Sequence, residues 1–228
     1  MNRNLKYFKI ANELNKDFHN QLIERKLHFR GNENSFSLIS VAKETAEKGV
    51  PNLKEKEDAI KLLKNEIVLS EPKRNTPEKE LQAWIILYSM RNNGVLPFSD
   101  NLKLITTELV FKNKKEYKLS KPKRDIRNDI LAIDDKNNLC VIELKYTRDN
   151  EVKRQTLEFE KVVKYENEFF YQLVKLYTDK EWNGSIRKIS VWPKAEGKTR
   201  KKEYIEVEEI NYSTNEEKTI YTFEYGTV

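Results

Sequence analysis

The fold is decided by residues 129–145, which read Asp129-Ile-Leu-Ala-Ile-Asp-Asp-Lys-Asn-Asn-Leu-Cys-Val-Ile-Glu143-Leu-Lys145. Two apolar runs flank a polar, turn-forming segment, so the pattern predicts a β-hairpin. Successive side chains of a strand alternate between its faces, so Glu143 and Lys145 share one face. Folding the hairpin brings Asp129 beside Glu143. The sequence therefore predicts two carboxylates and one ammonium group at one edge of a sheet.

This corner offers the ligands that a hard cation takes. Mg²⁺ is held by one or two carboxylates together with waters and substrate phosphates. Charged residues at the end of an apolar strand are unexpected, because burying an unpaired charge costs free energy. We interpret Asp129 and Glu143 as metal ligands. The alternative is a hairpin with solvated charged ends, since a short acid-x-lysine triplet arises by chance in a chain with 35% charged residues.

Asp129 and the triplet Glu143-Leu144-Lys145 resemble the motif of the PD-(D/E)xK nuclease superfamily, which contains the restriction endonucleases. The residue before the aspartate is Asn128, where the name-giving form has proline. The resemblance implies that Asp129, Glu143 and the Leu144 carbonyl bind Mg²⁺, or Mn²⁺ in its place. It also implies that Lys145 assists the attacking water.

Two upstream glutamates are candidates to complete the site. Thr76-Pro77 predicts the start of a helix over residues 76–93. The resemblance implies a helix glutamate near the metal, here Glu80, whereas a solvated first-turn acid favoured by the helix dipole is the alternative. Residues 102–111 predict the strand before the hairpin, and this strand carries Glu108, whose side chain could face the metal corner or solvent. Either glutamate would complete the site.

Downstream, Asp149-Asn150 predicts the start of one long helix that ends at residues 183–184. The resemblance places Gln155 of this helix near the site, and a solvent-facing polar residue is the alternative. Residues 186–192 predict another strand. The order helix, three strands, helix, strand is the one that the resemblance implies.

The predicted fold class is α/β, with a restriction endonuclease-like core in which helices flank a central mixed β-sheet. Residues 1–75 are predicted as a mainly helical extension with one strand at residues 36–41, and residues 76–228 as the nuclease-like domain. The extension could serve recognition or a homodimer. The tail, residues 204–210 and 219–225, alternates in polarity and predicts a C-terminal β-hairpin.

Charge predicts an anionic partner, because the net charge is +6 and the basic residues cluster before Asp129 and after Trp192. We expect nucleic acid, DNA in the first place, and the alternative is a pair of solvated lysine-rich loops. The residues predicted to contact nucleic acid are Lys121, Lys123, Arg124, Arg127, Gln155, Lys198 and Arg200.

Composition narrows the function class. No apolar run approaches the about 20 residues that span a bilayer, so no membrane partner is expected. The single cysteine, Cys140, predicts a reducing, cytoplasmic location. The expected function is phosphodiester hydrolysis by metal-activated water. A non-cleaving nucleic-acid-binding or assembly module with the same fold is the alternative, and a small α/β interaction protein is a third reading.

Overall fold

The computed structural model describes residues 3–41, 48–64, 76–98, 101–120, 124–194, 206–217 and 220–226. The chain divides into two compact units, Met1–Gly94 and Val95–Val228. Within the described ranges, no helix has both the length and the apolar character needed to cross a membrane.

In its described residues, the first unit combines four helices with a small antiparallel sheet. Its buried core includes Leu14, Leu22, Phe29, Phe36 and Leu38. Its elements are α1 (Lys6–Asp17), α2 (His19–Arg25), β1 (Leu27–Gly31), β2 (Phe36–Ser40), β3 (Lys48–Leu53), α3 (Lys56–Lys64) and α4 (Pro77–Arg91), with the strand order β1-β2-β3.

The prediction of a mainly helical N-terminal extension is wrong in part, because three strands form a sheet there. The strand expected at residues 36–41 is β2. The sequence pattern does not indicate the two neighbouring strands. His28 is buried in β1 and interrupts its apolar pattern. Strand β3 contains Gly49, Pro51 and Asn52, which are residue types depleted in strands.

The two units meet in sequence after Gly94, and not after residue 75 as expected. Helix α4 belongs to the first unit because Ala83, Ile86 and Leu87 pack against Val41 in one apolar cluster. Its predicted start is confirmed, since Thr76 caps the helix by accepting a hydrogen bond from the main-chain N–H of Lys79 at 3.3 Å.

The second unit is built on a six-stranded mixed sheet with the order β4-β5-β6-β7-β8-β9. Strands β4, β5 and β6 are antiparallel, β6, β7 and β8 are parallel, and β9 returns antiparallel to β8. The strands are β4 (Lys103–Lys112), β5 (Asp125–Ile133), β6 (Leu139–Leu144), β7 (Ile186–Pro193), β8 (Glu208–Thr214) and β9 (Tyr221–Tyr225). The α/β class, the mixed sheet and the hairpin of β5 and β6 are confirmed. The C-terminal hairpin is present, but its first strand is β8 (Glu208–Thr214) and not residues 204–210 as predicted, and residues 204, 205 and 219 lie outside the described residues.

Two helices, α5 (Glu151–Tyr165) and α6 (Asn167–Tyr177), connect β6 to β7 and pack on the sheet. Phe159 of α5 and Phe170 of α6 both lie against Phe111 of β4, with ring centroids 5.8 and 5.7 Å away. Aromatic contacts of this kind bury large apolar areas, so they fix both helices on β4.

The prediction of one long helix up to residues 183–184 is wrong. The helix is interrupted at Glu166, and α6 ends at Tyr177. The side chain of Asn167 accepts a hydrogen bond from the main-chain N–H of Glu168 at 2.7 Å. Asparagine competes with helical hydrogen bonds in this way, which explains a new helix start here.

Candidate metal centre

Asp129 and Glu143 stand opposite each other on β5 and β6. Ile130 pairs with Ile142 in the antiparallel register, so the next residues along the two strands face each other. A hydrogen bond joins the two carboxyl groups. Asp129 Oδ2 also accepts a hydrogen bond from the main-chain N–H of Leu144 at 2.8 Å. The hairpin thus holds two oxygen donors in contact at one corner of the sheet.

Asn128 holds the other side of Glu143. Its side chain is 1% exposed, and its Nδ2 donates to the Ile142 carbonyl at 3.0 Å and to Glu143 Oε1 at 3.3 Å. Both partners are acceptors, so the amide nitrogen and not its oxygen must face them. Glu143, itself 3% exposed, is therefore fixed between Asn128 and Asp129.

The pKa of the Glu143 carboxyl lies well above its usual range. Burial is the largest cause, and the neighbouring Asp129 carboxylate adds repulsion and a hydrogen bond that favours the protonated form. The charge of Lys145 and the hydrogen bond from Asn128 offset only part of this rise. A divalent cation between the two carboxylates would replace the shared proton, because metal ligands bind in the deprotonated form.

Lys145 lies just beyond the end of β6, and its main-chain N–H donates to the Val191 carbonyl of β7 at 2.9 Å. Its side chain is half-buried. The ammonium group is close enough to Glu143 to lower the pKa of that carboxyl. The structure thus brings Asp129, Glu143 and Lys145 together, whereas a metal contact of the Leu144 carbonyl stays a prediction.

Glu108 lies opposite Asp129 on β4, because Thr107 pairs with Ile130 and Leu109 with Asn128. Its backbone has a φ of 51°, so its side chain does not follow the direction of a regular strand. Among the described residues, no three acids, histidines or cysteines are close enough to hold a metal together. The structure does not assemble Glu108 with the carboxylate pair into a three-acid group.

Glu80 is half-buried in the first turn of α4 and belongs to the first unit. Gln155 is half-buried in α5, and its Oε1 atom is buried with no hydrogen-bond partner among the described residues. The roles expected for both side chains stay predictions.

The predicted nucleic-acid contacts divide into described and undescribed residues. Arg124 and Arg127 are exposed at the start of β5. Lys121, Lys123, Lys198 and Arg200 lie outside the described residues.

The contribution of Asn128 was missed by the sequence reasoning, which noted this residue only as a departure from proline. A signal was present in the alternation of β5. Asp129 belongs to the more exposed face, so Asn128 falls at a buried position between Ile126 and Ile130. A buried amide requires hydrogen-bond partners, and the nearest were at the end of the paired strand.

Comparisons with family models, with curated proteins and with solved structures give no match for this chain. The assignment to a nuclease superfamily is therefore a proposal that depends on the corner between β5 and β6 and on the order of the elements.

Proposed function

We propose that this protein is a metal-dependent nuclease of the PD-(D/E)xK type that hydrolyses phosphodiester bonds, with DNA as the first substrate to test. The observation that carries the proposal is the hydrogen-bonded carboxylate pair of Asp129 and Glu143, with Lys145 beside it. Two carboxylates in contact in a buried place are unfavourable unless a proton or a cation joins them, and such pairs cluster at functional sites.

The donors at this corner fit a hard cation. Asp129 and Glu143 supply only oxygen atoms, and Mg²⁺ needs no more than one or two carboxylates when waters and phosphates complete its shell. When bound, Mg²⁺ or Mn²⁺ would lower the pKa of a water and neutralise charge on the phosphate. Asn128 and the Leu144 N–H keep the two carboxylates in place, so the ligands are oriented before the cation binds.

Lys145 would contribute a positive charge at the same corner. Its ammonium group already acts on Glu143, so it lies within reach of a phosphate held at the same corner. A fixed positive charge stabilises the negative charge that develops on a phosphate in the transition state. The exposed Arg127, two residues before Asp129 on the same strand face, would bind a neighbouring phosphate.

A non-cleaving module with the same fold is a second candidate. One observation favours it: within the described ranges, no third acid, histidine or cysteine joins the carboxylate pair. Such a protein would bind nucleic acid through its basic surface without turnover. A small α/β interaction protein, the third candidate, would neither bind nor cleave nucleic acid.

The test is cleavage of labelled linear, circular, single-stranded and structured DNA and RNA in Mg²⁺, in Mn²⁺ and in EDTA. We expect Asp129→Ala and Lys145→Ala to lower the rate by at least about 100-fold, the size typical of losing one electrostatic contact at a reacting centre. Asp135→Ala and Lys136→Ala are matched controls, because both side chains are exposed in the turn at the other end of the same hairpin.

The outcomes separate the candidates. Metal-dependent cleavage that both site variants lose and both controls keep supports the nuclease. Binding without cleavage under any metal condition supports the non-cleaving module. Cleavage that survives Asp129→Ala would contradict the proposed site, and a protein that neither binds nor cleaves would contradict a nucleic-acid function.

A further inference from the structure

Two buried glutamates attach the link between β4 and β5 to the helices. We call residues 112–120 and 124–127 the basic connection, because six of them are lysine or arginine and two are acidic. Glu166, between α5 and α6, is 8% exposed, and Glu158 of α5 is 7% exposed. Each carboxylate binds groups of the basic connection, so this link is fixed at two separate points.

Glu166 fixes the basic connection at Lys114 and Tyr117. Its Oε1 accepts a hydrogen bond from the Tyr117 hydroxyl at 2.7 Å and forms an ion pair with Lys114. The Lys114 ammonium also lies 5.5 Å from the ring centre of Tyr117 and 5.4 Å from that of Tyr165. Charge-assisted and cation–π contacts of this kind hold the segment in one arrangement.

Glu158 fixes the main chain of the basic connection at Ser120. Its two carboxylate oxygens accept hydrogen bonds from the main-chain N–H of Ser120 at 3.2 and 3.1 Å, and Oε1 also accepts one from the Ser120 hydroxyl. Lys161 of α5 donates to Glu158 at 3.3 Å and to the Lys118 carbonyl at 3.1 Å. Helix α5 thus holds the main chain of the segment, and not only one side chain.

The anchored segment presents its remaining cations to solvent. Burying Glu158 and Glu166 costs desolvation free energy, which their hydrogen bonds to the segment offset. Lys114 is the basic residue that the anchors neutralise. The described basic residues that stay exposed are Lys112, Lys115, Lys118, Arg124 and Arg127.

The topology places this surface at the candidate metal centre. The basic connection leads from the end of β4 into the start of β5, and β6 ends beside Asn128 and Asp129. Arg127 and Asp129 lie on the same face of β5, about 7 Å apart along the strand. A chain of phosphates lying on Arg127 would therefore continue to the carboxylate pair.

We infer that the basic connection is a pre-ordered surface for the phosphodiester backbone of nucleic acid, and that Glu158 and Glu166 are positioning residues that hold it in its binding conformation. This inference rests on the proposed function for its partner. Charge complementarity supports nucleic acid as the occupant, because regularly spaced phosphates match a row of exposed cations. An anchored row loses less conformational entropy on binding than a mobile one.

The inference predicts that removing either glutamate weakens nucleic-acid binding, although the change in net charge alone would strengthen it. Glu158→Ala and Glu166→Ala each remove a negative charge, which by electrostatics alone would strengthen binding of a polyanion. Loss of the anchor should instead weaken binding by about tenfold, the size expected when a few side chains must be ordered on association. Glu158→Gln should recover part of the loss, because its amide oxygen can still accept from Ser120.

The measurement is fluorescence anisotropy of labelled duplex and single-stranded DNA with the full chain in EDTA, where binding is observed without cleavage, over a series of salt concentrations. Glu160→Ala is the matched control, because Glu160 lies on the same helix but pairs with Lys164 and Lys188 and not with the basic connection. Lys118→Ala and Arg127→Ala should each reduce the salt dependence by about one phosphate contact.

Each outcome decides the inference. Equal or tighter binding by Glu158→Ala and Glu166→Ala, as for Glu160→Ala, would overturn it, as would equally strong competition by polyglutamate. If the alanine variants unfold, Tyr117→Phe and Ser120→Ala take their place, because each removes only one hydroxyl group. Weaker binding by these two variants supports the inference, and equal or tighter binding overturns it. A wild type that binds through this surface without cleaving would contradict the nuclease and leave the inference intact, whereas cleavage with no effect of these variants would contradict the inference alone.

Discussion

Buried hydroxyl groups in the second unit differ in whether they have a partner. Ser190 of β7 donates from its Oγ to the Glu208 carbonyl of β8 at 3.1 Å. Thr107 of β4 is equally buried, yet its Oγ1 has no hydrogen-bond partner among the described residues. A buried polar group without a partner loses its hydrogen bonds to water and gains none in return.

This difference predicts opposite effects of two conservative substitutions. Ser190→Ala should lower the free energy of unfolding by about 1 kcal/mol, because it removes a hydrogen bond that joins two parallel strands. Thr107→Val should leave stability unchanged or raise it, since it removes only an unpartnered hydroxyl. Urea unfolding followed by circular dichroism measures both, and a larger loss for Thr107→Val than for Ser190→Ala would contradict the described hydrogen bonding.

At the carboxylate pair, the sequence predicted the residue types and their neighbourhood, because strand alternation and a short turn determine which side chains meet. The sequence reasoning missed the hydrogen bond from Asn128 to Glu143, although the alternation of β5 places this amide at a buried position. It also could not relate Glu80 to the site, because no local pattern sets the distance between residues of different elements.

At the scale of the elements, Asp134 organises the turn between β5 and β6. Its carboxylate accepts hydrogen bonds from the main-chain N–H groups of Lys136 and Asn138 at 3.0 and 2.8 Å. Arg187 of β7 pairs with the same carboxylate at 3.1 Å. One buried acid therefore holds the turn, and with it the register of the hairpin, against the neighbouring strand.

The turn predicts a pH dependence of stability. Burial by itself would raise the pKa of the Asp134 carboxyl, but the hydrogen bonds from Asn138 and Arg187 outweigh it and hold the pKa below its ordinary value of 3.8. A lowered pKa contributes stability at pH values above 3.8, and this contribution is lost as the pH falls further through the pKa of the folded state.

We therefore expect Asp134→Asn to be less stable than the wild type by about 1–3 kcal/mol at pH 6, because it loses charge-assisted hydrogen bonds in a buried place. The difference should shrink progressively below pH 3.8, where the wild-type carboxyl also becomes neutral. Paired urea titrations at pH 6, 4 and 3 measure it. A difference that stays constant over this range would show that the charge of Asp134 does not stabilise the turn.

The elements that the sequence predicted well are those with strong local signals. Strands β4 to β7 carry apolar runs bounded by turn residues, and Thr76-Pro77 marks a helix start. The interruption at Glu166 was missed, because Asn167 after it is only a weak local signal for a helix start. The partners of Glu166, Lys114 and Tyr117, lie about fifty positions away in sequence, and apolar periodicity continues through the break.

At the scale of the whole molecule, the chain divides into two compact units after Gly94. The second unit forms its six-stranded sheet from residues after Gly94 only, and helices α5 and α6 cover it from within the same unit. Its length of 134 residues falls in the range in which single domains bury enough surface to fold alone.

We expect a fragment of residues 95–228 to fold by itself and to unfold in one cooperative transition. Circular dichroism should report a mixed α/β spectrum, and denaturant unfolding followed by tryptophan fluorescence should coincide with it. A matched fragment of residues 76–228, which follows the boundary predicted from the sequence, should be no more stable. Higher stability of this longer fragment would show that α4 contributes to the fold of the second unit.

The burial of Cys140 makes the natural protein a convenient background for chemical labelling. It is the single cysteine of the chain, and its thiol lies inside β6 with no solvent exposure. Thiol reagents act on accessible thiolates, so the folded wild type should resist them. A cysteine introduced at Lys118 or Arg124 could then carry one fluorophore or spin label, and its signal would follow the arrival of a ligand at one chosen position.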